Sequence, residues 1–258
     1  MLQNISGYDI APSMVKISEM NLFLHGASEP KIYEYDTLTS DDKWGDKYEC
    51  ILANPPFMTP KGGIVPHNKF SIKSTKSEIL FVDYIANHLS SQGKAGIIVP
   101  DGVVFKQDKA FLSVRKDLLE NSLWGVISLP SGIFQPYAGV STSILLLDKK
   151  RAKETDSVVF VELNNDGYTL TTQRKPIEGN EIPKLTYSIL NYKKNGVIDD
   201  NIVIVSKEDI EKNNYDLSIN KYKKYEEMHE EKEKTEIIME RIKKRMDEYV
   251  KLFSELED

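Results

Sequence analysis

Cysteine occurs once, at Cys50. An intramolecular disulfide is therefore excluded, and a reducing, cytoplasmic setting is expected. No apolar run reaches membrane-spanning length, and nothing reads as a signal peptide. The four histidines, His25, His67, His88 and His229, are scattered without ligand spacing, so no metal site is expected. An excess of positive charge is also missing, with 34 Lys and Arg against 40 Asp and Glu and a net charge of −6. Any affinity for nucleic-acid phosphates must then come from local patches or from a partner subunit. What is present is a 40% hydrophobic fraction over 258 residues. That suffices for one large α/β domain with an appendage.

The chain is organised around Cys50-Ile51-Leu52-Ala53-Asn54-Pro55-Pro56-Phe57. Cys50 to Ala53 are short and apolar, as in a strand covered on both faces. The two prolines lack N–H donors and fix φ, so they stop the strand in a stiff turn. Ligands of open α/β sheets bind beyond the carboxyl ends of strands, which places Asn54 to Phe57 at the active edge. The bland alternative is an ordinary proline-stopped strand end. Asn-Pro-Pro-Phe after an apolar strand resembles the motif of amino-directed N6-adenine DNA methyltransferases. The resemblance implies that the Asn54 side-chain oxygen and the Pro55 carbonyl hold both hydrogens of the adenine amine. This localises the amine lone pair and aims it at a sulfonium methyl group. Phe57 would stack on an adenine flipped out of the duplex.

Upstream, Ile5 to Ile10 reads as a short strand ending in an acid, and Pro12 opens a helix that runs to Gly26. Ile32 to Asp36 is a second short strand ending in an acid. Two strands that each deliver an aspartate to one edge suit a nucleoside cofactor. Asp9 is placed to take ribose hydroxyls and Asp36 the cofactor's adenine amine, with Ile10 and Leu38 flanking its ring. Each aspartate also reads as a cap or turn acid. Methyltransferases of this class resemble one another in opening with a strand and a Gly-rich loop that holds the methionine end of S-adenosylmethionine. No such loop precedes Ile5. The expectation is an N-terminally truncated chain or half of a split gene, its absent strand lying between the Ile5–Asp9 and Cys50–Ala53 strands.

Residues 58–76 read as a mobile loop with Lys61, Lys69, Lys73 and Lys76, suited to DNA phosphates or equally to solvent. A helix from Lys76 or Ser77, the Ala95–Pro100 strand, the Lys109–Asn121 helix and strands at Trp124–Pro130 and Ile144–Leu147 follow. This alternation predicts a largely parallel, doubly wound sheet whose last two strands form an antiparallel pair. Phe134 and Tyr137, between those strands, are candidates to stack the target base, with core packing as the bland alternative. Val158 to Leu163 reads as a strand, and Tyr168 to Arg174 as its return. The short strand Ile202–Val205 precedes a small helix capped by Ser206.

Residues 222–258 are rich in Glu and Lys and hold no Gly or Pro. Met239, Ile242, Met246, Tyr249, Phe253 and Leu256 form a short heptad seam that needs a partner surface or folds back on its own domain. The expected organisation is a catalytic domain over 1–150, its extension over 151–221 and an assembly helix over 222–258.

Motifs in order along nearly the whole chain resemble the modification (M) subunit of Type I restriction-modification enzymes. They include Gly7-Tyr8-Asp9-Ile10, Ala53-Asn54-Pro55-Pro56-Phe57 and Val99-Pro100-Asp101-Gly102-Val103-Val104-Phe105. Asn21 to Gly26, Asp36-Thr37-Leu38, Leu129 to Phe134 with Gly139 to Ile144, Asn165 to Tyr168, and Tyr215 to Tyr222 complete the set, the last two being the most specific. The resemblance implies a Rossmann-like α/β methyltransferase sheet with a helical tail, S-adenosylmethionine as cofactor and double-stranded DNA as substrate. It also implies a specificity (S) subunit that reads the sequence and contacts the C-terminal helix, a second M subunit, and a restriction (R) subunit. Two other readings share these residues: methylation of RNA or of a protein glutamine amide, and a non-catalytic assembly fragment.

Overall fold

The computed structural model describes residues 4–57, 59–195, 200–223 and 243. The chain divides into the units Met1–Tyr222 and Lys223–Asp258. The expected assembly helix falls almost wholly outside the described residues.

The first unit begins with β1 (Ser6–Asp9), α1 (Pro12–Leu24) and β2 (Lys31–Glu34). Pro12 sits in the first turn of α1, where a missing N–H costs nothing. The helix stops at Gly26, whose φ of 95° only glycine adopts cheaply. The Gly26 N–H donates to the Phe23 carbonyl (2.9 Å) and the Ala27 N–H to that of Leu22 (3.0 Å), closing the last turn. β1 and β2 pair in parallel as a two-stranded sheet of their own.

The main sheet has six strands in the order β3-β4-β6-β5-β7-β8. These are β3 (Tyr48–Ala53), β4 (Leu89–Pro100), β5 (Leu123–Ser128), β6 (Thr142–Asp148), β7 (Ser157–Glu162) and β8 (Ile202–Ser206). β3 is parallel to β4 and β5 to β7, while β6 runs antiparallel to both β4 and β5. The sheet is thus mixed rather than largely parallel. Because β6 reverses twice, β3, β4, β5 and β7 still point the same way. Their carboxyl ends meet at one edge, and the next residues in each case, Asn54, Asp101, Leu129 and Leu163, start the loops there.

Both faces of the sheet are covered. In β7, Val158 and Phe160 belong to the larger core with α2 (Ser77–His88) and α4 (Lys109–Asn121). The alternate residues Val159 and Val161 belong to a second core with Leu185 and Ile189 of α6 (Ile182–Asn195). This is the period-two alternation of a strand between two layers. β7 and β8 continue the same sheet, so residues after 150 build on the same layers as those before.

Two expectations fail in this frame. β3 is not buried on both faces: Leu52 is 84% exposed, Cys50 is exposed and β3 ends the six-stranded order. An apolar strand is accordingly left as an edge. The predicted return strand over Tyr168–Arg174 is only an isolated bridge between Tyr168 and Pro176, because the chain reverses within it, the Thr169 N–H donating to the Lys175 carbonyl (2.9 Å) and the Ile177 N–H to that of Gly167 (2.8 Å).

Candidate active site

Asn54 follows the last residue of β3, whose Ala53 pairs with Ile97 in β4. It is exposed, Pro55 is half-buried, and Phe57 turns back toward the sheet edge. The Phe57 ring meets that of Phe134 edge-on, with centroids 5.4 Å apart and planes at 66°. Of the two aromatic candidates, the structure therefore brings Phe134 to the motif. Tyr137 is 95% exposed. Phe134 also borders an apolar cavity of about 290 Å³ between the sheet and α6.

The next strand end adds residues to which no role was assigned from the sequence. Asp101 follows β4 and lines a polar cleft of about 400 Å³ with Ser128, Ser143, Asn164 and Asn220. The Ser143 hydroxyl donates to Asp101 (2.8 Å). Burial pushes the Asp101 carboxyl above its ordinary range, against the pull of that hydrogen bond. The Val99–Phe105 motif carried the signal, but Ser143 reaches Asp101 only through the β4–β6 pairing. Asn220 arrives from the Tyr215–Tyr222 motif. That segment is held by Arg115, a fully buried residue of α4. Its Nε donates to the Tyr215 carbonyl (2.7 Å) and one terminal nitrogen to that of Val103 (2.9 Å). Burial lowers the guanidinium pKa to about 10.

The proposed cofactor residues divide. Asp9 ends β1, and one of its oxygens accepts the Ala11 N–H (2.8 Å). Ile10 beside it is 65% exposed. Asp36 lies two residues beyond β2, where one oxygen accepts from the Leu38 and Thr39 N–H groups and the other from the Thr39 hydroxyl (2.5 Å). It thus serves as a turn acid, with lone pairs remaining on its second oxygen. Leu38 is 4% exposed and packs in the main core.

The lysine-bearing loop makes several bonds to α2. The Thr59 hydroxyl donates to Glu78 (2.9 Å) and accepts the Ser77 N–H (3.0 Å). Ser71 bonds Asp83 through both its N–H and its hydroxyl, and Ile72 is buried. His67 and Phe70 join Trp44, Tyr84 and His88 in one aromatic cluster. Lys69 pairs with Asp41 at 3.0 Å, whereas Lys61 and Lys73 are exposed. Among the described residues no group of three or more His, Cys, Asp or Glu is placed to hold a metal ion. No described helix is long and apolar enough to cross a membrane.

Residues 2–231 match the family described as N-6 DNA Methylase. The methylase subunit of the Type I restriction enzyme EcoEI from Escherichia coli is 30% identical over 62% of this chain and 33% of its own length. That of MpnII from Mycoplasma pneumoniae is 27% identical over 95% of this chain and 47% of its own length. Among solved structures, the methyltransferase subunit of a type I restriction-modification system from Streptococcus thermophilus superposes with a TM-score of 0.70. It is 26% identical over 84% of this chain and 48% of that one. The chain therefore spans a third to about half the length of these relatives. With 230 of its residues inside the family match, and its Asn-Pro-Pro-Phe turn at the carboxyl edge of the sheet, the chain belongs to the N-6 DNA Methylase family.

Proposed function

We propose that this chain is part of the M subunit of a Type I restriction-modification enzyme, transferring a methyl group from S-adenosylmethionine to N6 of adenine in DNA. The supporting observation is the strand-terminal Asn54-Pro55-Pro56-Phe57 turn with Phe57 against Phe134. The Asn54 amide oxygen and Pro55 carbonyl accept the two amine hydrogens, which restores nucleophilicity to the nitrogen. Phe57 stacks on the flipped base, and Phe134 buttresses Phe57. S-adenosylmethionine supplies an electrophilic methyl group. Asp9, with one oxygen uncommitted, and exposed Ile10 suit its ribose and ring, and Asp36 suits its adenine amine. Lys61 and Lys73 face DNA phosphates, whereas Lys69 is engaged by Asp41. Residues 222–258 act as an assembly helix for an S subunit, alongside a second M subunit and an R subunit, in the cytoplasm.

Methyl transfer from tritiated S-adenosylmethionine by the assembled M–S complex, offered DNA, RNA and protein in parallel, tests the reading. Label on DNA adenine that disappears with Asn54→Ala is expected. Label on RNA or protein alone, or an unchanged rate with Asn54→Ala, overturns it. A non-catalytic assembly fragment is favoured by a different feature, the separation of β1 and β2 from the main sheet. Calorimetry showing S subunit binding without any heat from S-adenosylmethionine would establish that alternative.

A further inference from the structure

A cleft of about 760 Å³ lies between the 66–76 loop and the start of α4. Its floor is apolar, formed by Phe70, Ile72 and Phe111, and lysines 73, 76 and 106 stand around it. The single carboxylate in its lining is Asp108. Lys106 is 4.0 Å from Glu78, and among the described residues Lys73 and Lys76 have no acidic partner within salt-bridge distance. Three cations around one cleft are notable in a chain of net charge −6. Surface lysines normally intersperse with acids, and here the surplus is local. Both α2 and α4 begin at this wall, with Lys76 and Asp108 as N-caps that make no side-chain capping bond. The positive ends of two helix dipoles lie here, each with one carboxylate beside it, Glu78 in the first turn of α2 and Asp108 at the cap of α4.

The cleft is preformed. Ser71 is tied to Asp83, the Ile64 N–H donates to the Thr75 carbonyl (3.0 Å), and the His67 N–H donates to that of Leu38 (3.1 Å). The chain leaving the Asn-Pro-Pro-Phe turn is bonded to the start of α2, beside Lys76. Thr59, two residues beyond Phe57, accepts the N–H of Ser77 and donates to Glu78, the residues next to Lys76.

We infer that this cleft holds the sugar-phosphate backbone of the DNA strand flanking the target base, with Lys73, Lys76 and Lys106 on successive phosphates and sugar faces against the apolar floor. This rests on the DNA-methylation reading and adds Lys76 and Lys106 to it. A nucleic-acid backbone matches a basic rim over an apolar floor, and its phosphate charge complements the three ammonium groups.

The test is fluorescence anisotropy of the full chain with a labelled 20-base-pair duplex across a salt series, and with poly-glutamate of matched charge. K73Q/K76Q/K106Q is compared with the charge-matched control K116Q/K150Q/K175Q, each confirmed folded by circular dichroism. The cleft variant should flatten the slope of log affinity against log salt by roughly 0.9 for each lysine removed. The control should leave the slope near that of the unaltered chain. Equal slopes for the two variants, absent duplex binding by the unaltered chain, or tighter binding of poly-glutamate than of duplex would overturn the inference. Methyl transfer by the M–S complex separates this outcome from the parent reading. DNA methylation with cleft-independent affinity removes only the cleft. Cleft-dependent affinity without methylation removes only the catalytic reading.

Discussion

The sheet interior and the β1–α1–β2 unit are built from similar residues and behave oppositely. α2 and α4 bury Ile79, Leu80, Val82, Val114, Leu118 and Leu119 against β4, β5 and β6. α1 is as long as α4, yet it buries no residue, leaving Met20, Phe23 and Leu24 more than 60% exposed. β3, which delivers Asn54, lies at the border between them, paired on one side and carrying the bare Leu52. The unit is joined to β3 by a shared hydrogen bond between the Tyr8 and Tyr48 hydroxyls (2.5 Å). One hydrogen bond contributes about 1 kcal/mol, whereas a buried leucine contributes two to three times as much. Stability thus resides in the α2–α4 layer, while the residues assigned to chemistry stand where little burial supports them.

The sharpest way to break this contrast is Asn54→Ala. In the assembled complex it should cut methyl transfer by about a hundredfold or more, since one of two positioned acceptors is lost. The denaturation midpoint should stay unchanged, because Asn54 is exposed. Leu118→Ala should do the reverse. At 0% exposure it should lose about 3 kcal/mol in urea unfolding, with whatever folded fraction remains still competent.

Acidification should come next. His88 is fully buried, its Nδ1–H donating to the Tyr84 carbonyl (2.7 Å), and burial holds both His88 and His67 below the ordinary imidazole pKa of 6.5. Below pH 6.5 the unfolded chain binds protons that the folded chain refuses. Stability should therefore be retained above pH 6.5 and fall as the pH drops below it. The residues facing His88 are Trp44, Tyr84 and the Lys43 backbone, with Lys47 and Asp46 acting at longer range. His88→Phe should flatten that acid limb in urea titrations at pH 7.5 and 5.5. The smallest effect belongs to Leu52→Ala, at 84% exposure, which should move stability by no more than about 0.5 kcal/mol. A loss as large as that of Leu118→Ala would mean that β3 is covered in solution and the contrast is false.

The sequence revealed the strands that carry Asp9, Asn54 and Asp101, because apolar runs and proline stops are local signals. It misassigned the burial of Cys50 to Ala53 for a physical reason. Hydrophobicity reports what a strand can bury and not which neighbours it finds. Asp36 looked equally like a ligand and a turn acid. The Thr39 hydroxyl and the Leu38 and Thr39 amides, all within three residues, show it working as a turn acid, and the lone pairs left on its second oxygen keep the ligand role open to it. Asp101 with Ser143, and Asn220 beside them, were beyond sequence reasoning, since they meet only through β4–β6 pairing and the reach of Arg115 across 100 positions.

Arg115 also sets where the chain can be trimmed. A cut after Tyr222 leaves both of its carbonyl partners, the Asp216 charge and the Tyr222–Phe160 contact (5.1 Å) in place. A cut before Tyr215 strands a buried guanidinium with one acceptor, at a cost of about 3 kcal/mol or more. Limited proteolysis should accordingly spare this clasp, and a piece that keeps both acceptors must extend past Tyr215.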